Sequence, residues 1–299
     1  MKQSIVTLIA APGQTLSAAS DDISKALIAG GASCDSPMTL AENRAVDIAF
    51  DGLDEEKARQ IVTKTLNDLP IDAVVQPTAN RRKKLLISDM DSTMIEQECI
   101  DELADFIGKK EYVSKITERA MNGELDFKEA LIKRVALLAN LPETALEETY
   151  LERITMTPGG KELVAVMKKN GAVTILVSGG FTYFTNRVRD ALDFDRDEAN
   201  ILEMASGRLS GLVKEPILDK DAKLASLNHH RQRLNLKQEQ TLAVGDGAND
   251  LPMLLAAGLG VAYHAKPAVR EQTKAAIHYN DLRSILYLQG YKDQEIDNL

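Results

Sequence analysis

From Lys84 onward the chain repeats one pattern: a short run of Val, Ile and Leu, a polar cluster, then an amphipathic segment. The apolar runs are "KLLISD", "AVTILVSGG", "TLAVGDG" and "LGVAYHA", and the segments between them include "KELVAVMKKNG", "FTYFTNRVRDALD" and "DLPMLLAAG". Strands apolar along their whole length have to be covered on both faces, and parallel neighbours need a crossover, usually a helix. The pattern therefore predicts an α/β fold with a Rossmann-like parallel sheet. Two stretches interrupt it. Residues 98–153 read as helix with no strand among them, which predicts a helical cap inserted in the core. Residues 201–218 read as a β-hairpin.

Residues 1–78 read as a separate small α+β unit. "SIVTLIAA" is strand-like, and Leu16, Ala19, Ile23 and Leu27 then recur at helical spacing. "RAVDIAF" alternates Val46, Ile48 and Phe50, the period of a half-buried strand. "DEEKARQIVTKTLNDL" is a helix with acids in its first turn, and "IDAVVQP" a last strand. With one further strand between 33 and 41 the order is βαββαβ, a split βαβ sandwich. "PTANRRKK" at 77–84 marks the boundary with a second domain, 79–299.

In an open parallel sheet, ligands bind beyond the carboxyl ends of the strands, and the polar clusters of this chain fall there. "LLIS" runs into Asp89 and Asp91, two carboxylates one residue apart. Their repulsion is costly unless a cation or a reaction compensates it. Other runs end at Ser178, Gly179 and Gly180, and at "GDGAND" with Asp246, Asn249 and Asp250; Lys223 lies on the helix before that last strand. Singly, each has an ordinary explanation: an Asp caps a helix, "SGG" is a turn, a helical Lys is solvated. Jointly they make a phosphoryl-transfer site. Asp89, Asp91 and Asp246 offer the hard oxygens that Mg²⁺ takes beside water and phosphate. Asp89 is then placed to attack phosphorus, and Asp91 to protonate the leaving oxygen and later activate water. Ser178, backbone N–H groups and Lys223 would hold the phosphoryl oxygens.

Composition narrows the partners. The net charge of -9 and pI near 5.1 argue against a nucleic-acid binder. The single basic run, "RRKK" at 81–84, reads as a solvated linker or strand entrance, and His229 and His230 as solvated on a charged helix. Two cysteines in unrelated contexts, Cys34 and Cys99, read as free thiols in a reducing cytoplasm. No apolar run is long enough for a membrane span, and the N-terminus reads as a strand rather than a targeting signal.

The motifs "DMDST", "VSGGF", the lysine of "DAKLASL" and "GDGAND" resemble those of the haloacid dehalogenase superfamily of phosphohydrolases. "IEQECIDELAD", "RVALLANLP" and "AYHAKP" make the resemblance nearest to the members that hydrolyse O-phospho-L-serine. It implies an Mg²⁺-dependent hydrolase working through an aspartyl-phosphate, at the last step of serine biosynthesis. Asp89 is implied as nucleophile and Asp91 as acid and base. Asp89, the backbone carbonyl of Asp91 and Asp246 are implied as metal ligands, supported by Asp250. Ser178, Gly179, Lys223 and Asn249 are implied as phosphate and substrate contacts, Glu98 and Arg134 as partners of the substrate's amino and carboxylate groups, and Met121 and Phe127 as the apolar wall of the cap. Read from the residues alone, Arg134 is more readily an exposed helix residue and Glu98 a first-turn acid. The order of residues 1–78 resembles an ACT-type regulatory domain, which would allow a homodimer; a structural appendage is the alternative. Two other functions stay open: the same chemistry on another small phosphorylated amino acid or alcohol, and an amino-acid sensor with a vestigial phosphatase domain.

Overall fold

The computed structural model of the chain describes residues 2–298. The first unit runs β1 (Ser4–Ala10), α1 (Ser17–Ala29), β2 (Ser33–Cys34), β3 (Met38–Ala41), β4 (Ala45–Asp51), α2 (Glu55–Leu66) and β5 (Ile71–Pro77). β1 lies between β4 and β5, antiparallel to both, and β2 and β3 pair with β4. Leu16, Ile23 and Leu27, with Ala58 and Val62 of α2, pack on Val6, Leu8, Ile48 and Phe50.

The second sheet begins with β6 (Leu85–Ser88), whose chain then leaves the sheet for four helices: α3 (Cys99–Asp105), α4 (Lys110–Met121), α5 (Phe127–Leu137) and α6 (Thr144–Arg153). This is the helical insert. The core resumes with α7 (Gly160–Lys169), β7 (Val173–Phe181), α8 (Thr182–Leu192) and β8 (Arg196–Asn200). A hairpin of β9 (Leu202–Ala205) and β10 (Arg208–Val213) precedes α9 (Lys220–Arg233). Then come β11 (Thr241–Gly245), α10 (Leu251–Ala256), β12 (Leu259–Tyr263), α11 (Pro267–Arg270), β13 (Ala275–Ile277), α12 (Ser284–Leu288) and α13 (Asp293–Asp297). The strand order is β13-β12-β11-β6-β7-β8, parallel throughout. Connections run outward from β6 through β7 to β8, then return to β11 on the other side of β6. Such a reversal opens a crevice at the carboxyl ends of the two central strands.

Three sequence expectations are corrected. β8, "RDEAN", was not expected as a strand: it is an edge strand whose acids are paired, Asp197 with Arg189 and Glu198 with His230. His230 is accordingly buried, not solvated. The run "RRKK" is not a solvated linker either. Arg81 forms a two-pronged ion pair with Asp47, at 2.7 and 3.1 Å, and Lys83 is buried with its ammonium on the Glu239 carbonyl. Asp47 explains why: the face of β4 expected to meet solvent meets the second sheet's C-terminal segment instead. Ile9, Ala45 and Val74 of the first sheet share one apolar cluster with Leu286, Tyr287 and Leu288. Asp72 of β5 accepts from the backbone of His278 and Tyr279 and from the Asn280 side chain, and Gln76 donates to the Leu288 carbonyl.

Removing one member of a buried ion pair leaves the other charge unpaired, at about 3–5 kcal/mol. Arg81→Ala is expected to lower the unfolding free energy by about that amount in a denaturant titration. A loss under about 0.5 kcal/mol, the ordinary surface range, would show that the Arg81–Asp47 pair does not hold the two sheets together.

Candidate active site

The central crevice gathers side chains from every cluster the sequence marked. β6 ends at Ser88, and Asp89 follows beside β11, its backbone N–H on the Val244 carbonyl. The chain then turns tightly: the N–H groups of Thr93, Met94 and Ile95 all reach the Met90 carbonyl, and Ser92 takes a φ of 54°. Met90 is fully buried in the core, so the residue between the two acids points away from the crevice. The Asp91 carboxylate accepts from the Cys99 N–H at the start of α3 (2.8 Å) and from the Ser178 hydroxyl (3.1 Å). Burial raises its pKa. Glycine is required at 180, because a Cβ there would lie 2.7 Å from an Asp91 oxygen. At 179 a Cβ would run into the Phe127 ring of the cap.

Lys223 sits in the first turn of α9, which Asp219 caps by accepting from Asp221 and Ala222. A helix N-terminus is the wrong end for a cation, and two carboxylates compensate. The Lys223 ammonium is 2.8 Å from Asp89 and 2.6 Å from Asp250, all three buried. Burial alone would lower its pKa; Asp250 and Asp89 outweigh burial and raise it. Carboxylate oxygens of Asp89, Asp246 and Asp250 lie within 4.8 Å of one another. Burial, then the Asp250 charge, pushes the Asp89 pKa well up, and the same two causes bring Asp246 to about 7. Three buried carboxylates with one ammonium, all donors hard oxygens, fit a small divalent cation and not a thiolate-seeking metal. The Asp91 carboxylate lies outside this group, on Cys99 and Ser178.

Above the crevice the insert supplies the roof. α5 is capped by Asp126, which accepts from Glu129, and Arg134 lies in its last turn, 2% exposed. Glu98 stands at the start of α3, its carboxylate accepting from Ser92 (2.7 Å). Glu98 and Arg134 face one cavity with Asp89, Asp91, Ser178, Gly179, Asn249, Met121 and Phe127. Arg134 is therefore not an exposed helix residue. The buried Oδ1 of Asn249 has no hydrogen-bond partner. Sequence reasoning missed three supporting residues: Ser92, which holds Glu98, and Thr117 and Asp101 behind Arg134. Only Ser92 carried a signal, its place within "DMDST".

Residues 86–255 match the family model of haloacid dehalogenase-like hydrolases. The chain belongs to this family. Among curated members, a phosphoserine phosphatase of Polaromonas sp. is 47% identical over 210 residues, 69% of this chain and 89% of that protein. One from Streptomyces coelicolor is 38% identical over 300 residues, 99% of this chain and 72% of the other. A phosphoserine phosphatase solved as a phospho-aspartyl intermediate analogue superposes with a TM-score of 0.66 at 41% identity, over 69% of this chain and 98% of that one. Among the described residues, no helix is long and apolar enough to cross a membrane.

The raised Asp246 gives a test. A carboxyl whose pKa rises on folding, here from 3.8 to about 7, contributes stability that is full below the unfolded value and lost as pH rises through the folded one. Without divalent ions, Tm is expected to fall as pH rises from about 4 to about 8, and Asp246→Asn to flatten that fall. Mg²⁺ is expected to raise Tm more at the alkaline end. An identical slope in wild type and variant would remove Asp246 from the electrostatics of the cluster.

Proposed function

We propose that the protein hydrolyses O-phospho-L-serine to L-serine and phosphate, with Mg²⁺ as cofactor. The observation that carries this is the pair Glu98 and Arg134. They are an acid and a base facing one cavity. Burial, then Asp91 and Asp246, pushes the Glu98 carboxyl's pKa well up, so its charged form needs a cation beside it. Among the described residues no acid lies within ion-pair distance of Arg134. A buried guanidinium without an ion-pair partner calls for an anion, and a planar one suits a carboxylate held by two hydrogen bonds. Glu98 suits an ammonium. A phosphate over Asp89 with these two charges opposite describes a phosphorylated amino acid, and the curated relatives are phosphoserine phosphatases.

In this reading an Asp89 carboxylate oxygen attacks phosphorus and the bond to the serine oxygen breaks. Asp91, whose burial favours its protonated form, gives its proton to that oxygen, and serine leaves. Asp91 then takes a proton from water, which attacks the aspartyl-phosphate and frees phosphate and Asp89. Lys223, the Ser178 hydroxyl and the Asn249 side chain hold the phosphoryl oxygens. The Ser178 hydroxyl has one proton, which goes to Asp91 in this structure and would turn to a phosphoryl oxygen when phosphate binds; Lys223 fixes the attacking carboxylate through its contact with Asp89. Asp89, the Asp91 carbonyl and Asp246 would hold Mg²⁺, with Asp250 behind them. When bound, the cation neutralises carboxylate and phosphate charge and so lets the anionic nucleophile approach an anionic group.

The same proposal assigns residues 1–78 to an ACT-like regulatory domain and 79–299 to the catalytic domain with its cap at about 98–153. A homodimer, a cytoplasmic location and the last step of serine biosynthesis belong to it as well.

The nucleophile is tested by Asp89→Asn, which should lose several orders of magnitude in turnover while staying folded; each factor of ten is about 1.4 kcal/mol. Normal turnover would remove Asp89 from the role. The substrate is tested by Arg134→Ala. Loss of a charge-assisted contact to a desolvated carboxylate costs about 2–5 kcal/mol, so kcat/KM for phosphoserine should fall by about 30-fold or more. Phosphoethanolamine, which has no carboxylate, should lose far less. Equal losses on both would leave Arg134 structural and the substrate assignment without its main support.

A further inference from the structure

Arg134 is held at two points. Its Nε donates to the Ala130 carbonyl of its own helix (3.1 Å), and its Nη1 to the Thr117 hydroxyl of α4 (2.8 Å). Thr117 in turn donates to Asp101 of α3 (2.6 Å), with the Val113 carbonyl a longer alternative at 3.2 Å. A hydroxyl has one proton to give, so the direction of this chain is fixed: guanidinium to hydroxyl, hydroxyl to carboxylate. Thr117 and Asp101 are buried, and three of the four cap helices meet at this hydroxyl.

The neutral hydroxyl matters because of what it keeps apart. A carboxylate placed directly on Arg134 would occupy the planar edge that makes two parallel hydrogen bonds. Here Asp101 stands one hydroxyl away. It supplies a nearby counter-charge while Nη2 has no partner among the described residues, and Arg134 lines the cavity. We infer that Thr117, backed by Asp101, is a positioning residue that aims Arg134 at the substrate's carboxylate and so sets the preference for phosphorylated amino acids over phosphorylated amines. The inference rests on the carboxylate-binding reading of Arg134 given above.

A threonine that merely cross-linked the cap would, on removal, weaken every substrate alike, so the test is a ratio. kcat and KM are measured for O-phosphoserine and for phosphoethanolamine, on variants whose melting curves show a folded protein. Thr117→Val, which keeps the shape but not the hydroxyl, is expected to lower the ratio of the two kcat/KM values about tenfold, or about 1.4 kcal/mol. The change should fall mainly on KM for phosphoserine. Thr117→Ser is expected to retain the wild-type ratio within about twofold, because the hydrogen-bond chain survives. Asp101→Ala leaves the hydroxyl but lets its proton turn to the Val113 carbonyl. It should lower the ratio by about threefold, and it decides the matter if the valine variant does not fold. An unchanged ratio in Thr117→Val, equal losses on both substrates, or a serine variant no better than valine would overturn the inference. Arg134→Ala is measured alongside. If it leaves the ratio unchanged, the carboxylate reading itself fails; if it collapses the ratio while Thr117→Val does not, only the positioning role fails.

Discussion

The site depends on one ammonium shared between two buried carboxylates. Lys223 bridges Asp89 and Asp250 where water is excluded, and Asp246 adds a third acid within 4.8 Å of both. In a low dielectric such repulsions are several times stronger than in water, so the arrangement persists only because other parts of the fold enforce it. The sheet order does so first, by laying β6 beside β11 so that Asp89 and Asp246 leave adjacent strands. Asp250 is then fixed by the Gly247 N–H as well as by Lys223. What remains is a surplus of negative charge beside the lysine. One lysine cannot neutralise three carboxylates, which is the physical reason that this donor set suits a hard cation.

A second buried ion pair does for the architecture what Lys223 does for the site. Arg81 lies just after the first sheet and before β6, and it closes onto Asp47 on the face of β4 turned toward helix α12. The same guanidinium reaches the Tyr287 and Leu288 carbonyls at that helix. The first sheet thus has two buried faces, one under its own helices and one against the second sheet's C-terminal segment, although antiparallel sheets commonly leave one face wet.

This shows where the sequence could be read and where it could not. β6, β7, β11 and β12 were legible because strands covered on both faces must be apolar throughout. The polar residues at their ends stood out for the same reason, which is how Asp89, Asp91, Ser178 and Asp246 were found. β8 was hidden because it balances charge pairwise with helices instead of burying Val and Ile. "RRKK" misled because a run of like charges shows nothing of an acid 34 residues away that is buried opposite one of them. Glu98 and Arg134 came through the family resemblance; their own sequence context fits an ordinary exposed helix. Thr117 and Asp101 left no trace, because no spacing rule connects partners on separate helices.

The cavity that Arg134 and Glu98 line measures about 30 Å³, where about 10–15 Å³ is enough to hold one water. On the reading proposed above, a substrate carrying phosphate, carboxylate and ammonium groups is larger than this, so the cap would have to lift to admit it. The covalent joints are narrow enough to permit it: the chain enters and leaves the insert through two adjacent segments, with Ile95 opposite Met156 and the Glu96 N–H on the Thr155 carbonyl. On the far side the insert is seamed to the hairpin, where the Asn140 N–H donates to the Leu209 carbonyl and the Leu209 N–H to the Leu141 carbonyl. Parting that seam would forfeit about 0.5–1.5 kcal/mol per bond, so a motion that carries the hairpin along with the cap costs less. The hairpin's base is fastened by Asn200, which bonds both the Gly179 and Leu218 carbonyls. The moving roof is thereby anchored to the strand end that carries Ser178. On that reading, closure would bring Arg134 and Glu98 down as water leaves, and their pairing with the substrate would offset the cost of drying the phosphoryl site.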